Sequence, residues 1–108
     1  AMTGEADPAI QSLLAAARDQ FAAGLRMRLD ALDALVAEGS WEEVRRGVHR
    51  LRGAAATYGF SPLGERAASI EEALLEADDA PGEDVRRAIA EGLQALRAEA
   101  TLAAGGGA

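Results

Sequence analysis

The chain has 108 residues, 49% hydrophobic but only 4% aromatic, and eighteen acids against eleven basic residues give it a net charge of −7. That length suffices for one domain with its own core. The acidic balance argues against nucleic acid as a partner, because such affinity rests on basic residues neutralising phosphates. The absence of cysteine rules out disulfides and thiolate metal sites.

No apolar run approaches the roughly 20 residues of a transmembrane helix. No secretory signal is visible, so no membrane association and a cytoplasmic location are expected. The core must come from Leu, Val, Ile and 27 alanines. Alanine has the best helix propensity and β-branched residues are scarce, which points to an all-α domain.

Residues 1–6 are short and polar and are expected to form a flexible N-terminus, with Ala1-Met2 a cloning remnant. Asp7-Pro8 reads as a helix start, an N-cap followed by proline at the first helical position. Ile10, Leu14, Ala17, Phe21, Leu25, Leu29, Leu32 and Val36 then recur at steps of three and four. That pattern predicts one long helix, or two in register with a kink near Gly24, ended by Glu38-Gly39.

Ser40-Trp41-Glu42-Glu43 reads as a capping box. It opens a second helix from Trp41 to about Tyr58, with Trp41, Val44, Val48, Leu51, Ala55 and Tyr58 on one apolar face. Trp41 is expected to be a core or staple residue. Gly59 ends this helix and Ser61-Pro62 repeats the start signal. Leu63, Ala67, Ile70 and Leu74 form the seam of a third helix, followed by a turn at Asp78-Asp79-Ala80-Pro81-Gly82.

A fourth helix is predicted from about Glu83, with Val85, Ile89, Leu93 (or Gly92), Leu96 and Ala100 inward. Residues 103–108 read as an Ala/Gly tail with nothing to bury. The expected architecture is an antiparallel up-down four-helix bundle over residues 7–102, and a monomer.

The only histidine, His49, lies off the apolar stripe of the second helix. Its neighbours three and four positions away are Arg45, Arg46, Arg52 and Gly53, with Ala56 one turn beyond. Between Val44 and Arg66 there are five arginines against Glu65 alone. A local basic patch on an acidic protein suits a small anionic target. Alternatively, Glu42 and Glu43 pair with Arg45 and Arg46 and make an ordinary solvated face.

A neutral imidazole near neutral pH is a nucleophile, provided that one ring nitrogen is free and exposed and the other is held by an acceptor. Counting outward from the tight Gly59–Pro62 turn, the residues of the third helix opposite His49 are Ala67, Ala68 and Glu71. Only Glu71 accepts a hydrogen bond. Arg52 is placed to neutralise charge on a transferring phosphoryl group. Gly53 costs roughly 1 kcal/mol against alanine in a helix interior. Either the close approach of a second protein or close helix packing would explain it.

His49-x-Leu51-Arg52-Gly53, then small residues, Gly59 and Leu63, resembles the signature of histidine phosphotransfer (HPt) domains of multistep two-component relays. The preceding AEGSWEEVRRGVHRLRG is similar to the turn that leads into the family's histidine helix. The resemblance implies a four-helix bundle with no kinase activity, no ATP site and no cofactor of its own. It implies His49 as phosphoacceptor, taking phosphate from one receiver aspartate and passing it to another, with Arg52 and Glu71 assisting.

The implied partners are response-regulator receiver domains, a hybrid histidine kinase, or both, with Mg²⁺ carried by the receiver. Docking is expected through the second and third helices, including Arg45, Arg46, Gly53, Ala56, Ala67 and Ala68. The family usually has lysine where Arg52 stands; arginine keeps the charge but changes its geometry.

Two rivals share this fold. One is the histidine-bearing N-terminal domain of a chemotaxis-type kinase, phosphorylated by an ATP-binding domain. The other is a scaffold that docks receivers without carrying phosphate. A di-metal bundle needs histidines from two helices, so no metal site is expected.

Overall fold

The computed structural model describes residues 7–77 and 80–105. The expectations for residues 1–6, for Asp78-Asp79 and for the last three residues of the tail lie outside the described residues. The described chain forms four helices: α1 (Pro8–Glu38), α2 (Trp41–Tyr58), α3 (Ser61–Glu76) and α4 (Glu83–Ala104). Each packs on two neighbours around a ring, α1 on α2, α2 on α3, α3 on α4 and α4 on α1. Short connections make consecutive helices antiparallel, so the fold is the up-down four-helix bundle.

Asp7 caps α1, its side chain accepting from the Ala9 amide at 2.8 Å, with Pro8 entering the first turn. The helix runs unbroken through Gly24, which overturns the alternative of two helices. Gly39 and Gly59 end α1 and α2 in the left-handed conformation, with φ of 73° and 80°. This backbone is cheap for glycine alone. Only Gly59 and Phe60 separate α2 from α3.

The capping box at Ser40 does not form. Ser40 Oγ reaches the Glu38 carboxylate at 3.5 Å and makes no cap bond, while Glu42 and Glu43 pair forward with Arg45 and Arg46. Two acids in the first turn still favour the helix start through its dipole. Phe60, not Ser61, is the N-cap of α3, and Pro62 lies within the first turn.

Val44, Val48, Leu51 and Ala55 of α2 are buried as predicted, with Trp41 and Tyr58 packed partly buried against the core. Leu63, Ala67, Ile70 and Leu74 of α3 join them, as do Ile89, Leu93, Leu96 and Ala100 of α4. On α1 the core begins at Phe21, which stacks on Tyr58 and lies against Phe60. Ile10 and Leu14 keep the helical phase but are exposed. Phe60 of the α2–α3 turn and Leu102 and Ala103 of α4 face Ala15, Arg18, Asp19 and Ala22 of α1, whereas Ile10, Leu13 and Leu14 in the preceding turns stay exposed.

At the other terminus α4 runs to Ala104, and Ala103 packs against the core. The helical part therefore continues two residues past the expected boundary at 102. Close packing fixes two glycines: a Cβ on Gly47 would meet Leu32 at 2.8 Å, and one on Gly92 would meet Ile70 at 2.5 Å. No described helix is long and apolar enough to cross a membrane.

Candidate functional site

The tight α2–α3 turn sets the site. His49 and Glu71 are equally far from Phe60 in sequence, one before it and one after, so the antiparallel hairpin brings them level. His49 sits on the outer flank of α2 with its side chain 67% exposed. Glu71 is only 5% exposed and is the single buried charged residue among those described.

Both oxygens of the Glu71 carboxylate are engaged. Oε2 lies 2.7 Å from His49 Nδ1, and Oε1 accepts from Arg52 Nη1 at 2.9 Å. Burial pushes the Glu71 carboxyl up, but the hydrogen bonds from Arg52 and His49 outweigh it and hold the group below its ordinary range. At neutral pH it is ionised and can only accept, so Nδ1 carries the imidazole proton. The Nε2 lone pair is left free on an exposed ring. The hairpin therefore sets the tautomer and leaves Nε2 as the nitrogen that faces solvent.

Arg52 is on the His49 side of α2, one turn along, with its side chain 50% exposed. Its guanidinium rests on Glu71, a contact that the sequence reading did not include. It spends one N–H there and retains four donors for a second ligand. Gly53 has no atom within 4 Å of where a Cβ would sit. Helix packing does not require this glycine, and the explanation left from the sequence is open access beside His49. Ala56, one turn on, is exposed and Ala68 is half-buried.

Ala67 must be corrected. It is 0% exposed, part of the α3 core seam, and offers no surface to a partner. Sequence counting put Ala67 and Ala68 together opposite His49. Adjacent helical residues differ by about 100° around the axis, and the packing turns Ala67 inward. Arg45 and Arg46 are on the same side of α2 as His49, but each is tied to an acid of its own helix. Arg45 Nη2 lies 2.6 Å from Glu42, and Arg46 lies 3.4 Å from both Glu42 and Glu43. Their charge is thus largely offset locally, which was the alternative reading of that cluster.

Sequence reasoning missed Leu75, which stands 61% exposed one turn after Glu71 on α3. The signal was the Leu74-Leu75 pair: a helix can direct only one of two adjacent leucines inward. It also missed a clamp across α1 and α4, where Arg97 donates to Asp30 at 2.7 Å and to Asp33. Among the described residues no group of three or more His, Asp or Glu side chains could hold a metal ion.

Comparison with known families gives a match between residues 16–99 and the family model described as Hpt domain. No significant match to a curated protein or to a solved structure was found.

Proposed function

The chain belongs to the Hpt domain family of phosphorelay carriers, and on that premise we propose that His49 is its phosphoacceptor, oriented by Glu71 and assisted by Arg52. The observation that carries this reading is the 2.7 Å contact between Nδ1 of an exposed imidazole and a buried carboxylate. In the forward step the Nε2 lone pair attacks the phosphorus of a receiver aspartyl phosphate. The N–P bond forms, the P–O bond to the aspartate breaks, and the aspartate leaves as a carboxylate.

The Nδ1 proton stays in place, so the phosphorylated ring becomes an imidazolium. Glu71 stabilises that positive charge. No proton has to leave the site, and the same steps in reverse deliver the phosphoryl group to a second aspartate. Catalysis of this kind is mostly positioning and neutralisation of the equatorial oxygens, a role for the free donors of Arg52.

The partners in this reading are receiver domains, freestanding or within a hybrid histidine kinase, docking over α2 and α3. Arg46, Gly53, Ala56 and Ala68 would line the contact, along with Arg45. The receiver contributes the Mg²⁺, and the bundle works as a cytoplasmic monomer. Its complexes are weak enough to release quickly, as a shuttle requires.

The test is transfer from a panel of phosphorylated receivers, comparing the native protein with His49→Ala by intact mass and by the acid lability of the label. Alkali-stable, acid-labile label that vanishes in the variant is expected. Label retained without His49 would refute the assignment. Label obtained only from an ATP-binding kinase domain would make the chain a kinase's phosphoacceptor domain. Receiver binding with no label from any donor would make it a scaffold.

A further inference from the structure

Six large hydrophobic side chains are exposed among the described residues: Ile10, Leu13, Leu14, Met27, Leu75 and Leu102. Ile10, Leu13 and Leu14 occupy the overhanging turns of α1, and Leu102 is near the end of α4. Met27 points outward from the middle of α1. Leu75 alone belongs to α3, four residues after Glu71 and so on the same flank of that helix.

Leu74 fills the core position of that turn, so the bundle does not need Leu75. Because α2 and α3 are antiparallel, moving one turn past Glu71 on α3 means moving one turn before His49 on α2, to the level of Arg45. The surface around His49 therefore has two unlike ends. Beyond His49 toward Gly53 and Ala56 it is open and made of small residues. Toward the start of α2 it carries the bulk of Leu75, with the Arg45 guanidinium held in place by Glu42.

Scale identifies the occupant. Even a weak, transient interface covers up to about 600 Å² on each partner, a disc of roughly 14 Å radius. One helical turn advances about 5.4 Å and neighbouring helices lie about 10 Å apart, which puts Leu75 roughly 11 Å from His49. A protein domain that brings an aspartate up to His49 must therefore cover Leu75, and would cover it even if Leu75 contributed nothing to the chemistry.

We propose that Leu75 is the apolar anchor by which this domain selects its receiver, seating in an apolar recess of the receiver surface while the aspartyl phosphate reaches His49. This rests on the phosphorelay reading above. Leu75 touches no reacting atom; it sets affinity and orientation. A receiver with a polar or charged residue at the matching position is then a poor partner, whatever the state of its aspartate.

The experiment is steady-state transfer from the receiver that labels the native protein, comparing Leu75→Ser, Leu75→Met and, as a remote control, Met27→Ser. The expected result for Leu75→Ser is a KM about tenfold higher with kcat changed less than twofold. Leu75→Met should restore KM to within about threefold of native, and Met27→Ser should not move it. An unchanged KM in Leu75→Ser overturns the anchor while leaving the phosphorelay reading intact. A fall in kcat with KM unchanged also overturns it, because that split would mean that the substitution disturbs the site itself. If no receiver labels the native protein, the phosphorelay reading fails and the anchor with it.

Discussion

Among the described residues two arginine–carboxylate clusters join helices in this bundle, and they are built in opposite ways. In the α1–α4 clamp, Arg97 bridges two acids, Asp30 and Asp33, whose side chains are 59% and 45% exposed. In the α2–α3 cluster the acid is buried, and its partners, the His49 imidazole and the Arg52 guanidinium, face water. An exposed pair of the first kind contributes little, because water competes for every charge.

Burying a carboxylate is costly unless its oxygens are fully bonded. Stability alone gives little reason to place an acid at the Glu71 position, since an apolar residue would pack there with less penalty. What the arrangement provides is orientation: a fixed acceptor holds one nitrogen of a ring whose other nitrogen stays in solvent. The first cluster fastens helices and the second aims a side chain.

This contrast is most sharply tested by removing one arginine from each. Arg52→Ala should slow phosphotransfer about 100-fold, the roughly 3 kcal/mol expected for one donor to a charged transition state. Arg97→Ala, measured in the same assay, should leave the rate unchanged. Equal effects on transfer would erase the distinction.

The open space beside the aiming cluster makes a second comparison. Gly53→Gln should lower the transfer rate at least tenfold by obstructing docking. It should also raise stability by about 0.5 kcal/mol, since glutamine is the better helix former and a Cβ at this position meets nothing within 4 Å. Activity and melting temperature should therefore move in opposite directions. A stabilised variant with full transfer would show that partners approach elsewhere.

Glu71→Gln separates the two roles of the carboxylate. One amide oxygen can accept from His49 or from Arg52, but the amide nitrogen then faces the other donor. Transfer should slow about tenfold without stopping. The acid dependence of stability follows from the lowered carboxyl of Glu71. A group with a lower folded than unfolded pKa stabilises the fold above the unfolded value, about 4.3, and that contribution is lost as pH falls through the folded value. Native protein should therefore lose more stability than Glu71→Gln between about pH 5 and pH 2, as urea melts at each pH would show. The smallest effect belongs to the clamp: Arg97→Ala should cost no more than about 1 kcal/mol in the same melts.

The stripe of Val44, Val48, Leu51 and Ala55 and the left-handed stops at Gly39 and Gly59 were legible in the sequence, because periodicity and glycine chemistry act within one helix. Glu71 could be reached by counting from a turn too short to allow another register. Ile10 and Leu14 misled for a definite reason. A repeat shows that one face is apolar but not whether another helix is long enough to cover it.

Ala67 and Ala68 could not be separated by counting alone, since the rotation of α3 about its axis decides which one faces out. Leu75 went unseen because only one leucine of its pair was assigned to a face. The Ser40 cap did not form: the Ser40 hydroxyl turns to Glu38 and Glu43 pairs with Arg46. Arg97 and Asp33 are 64 residues apart, and no local pattern connects them.

That separation also bears on how the molecule assembles. His49 and Glu71 are 22 residues apart and joined through the Gly59-Phe60 turn. Loop closure grows with the logarithm of length, so bringing Arg97 to Asp33 costs about 1 kcal/mol more chain entropy than bringing Glu71 to His49. Contacts of short range form early in a folding chain. The proposed transfer site thus closes within a local hairpin, at a smaller chain-entropy cost than the seam that completes the ring of helices.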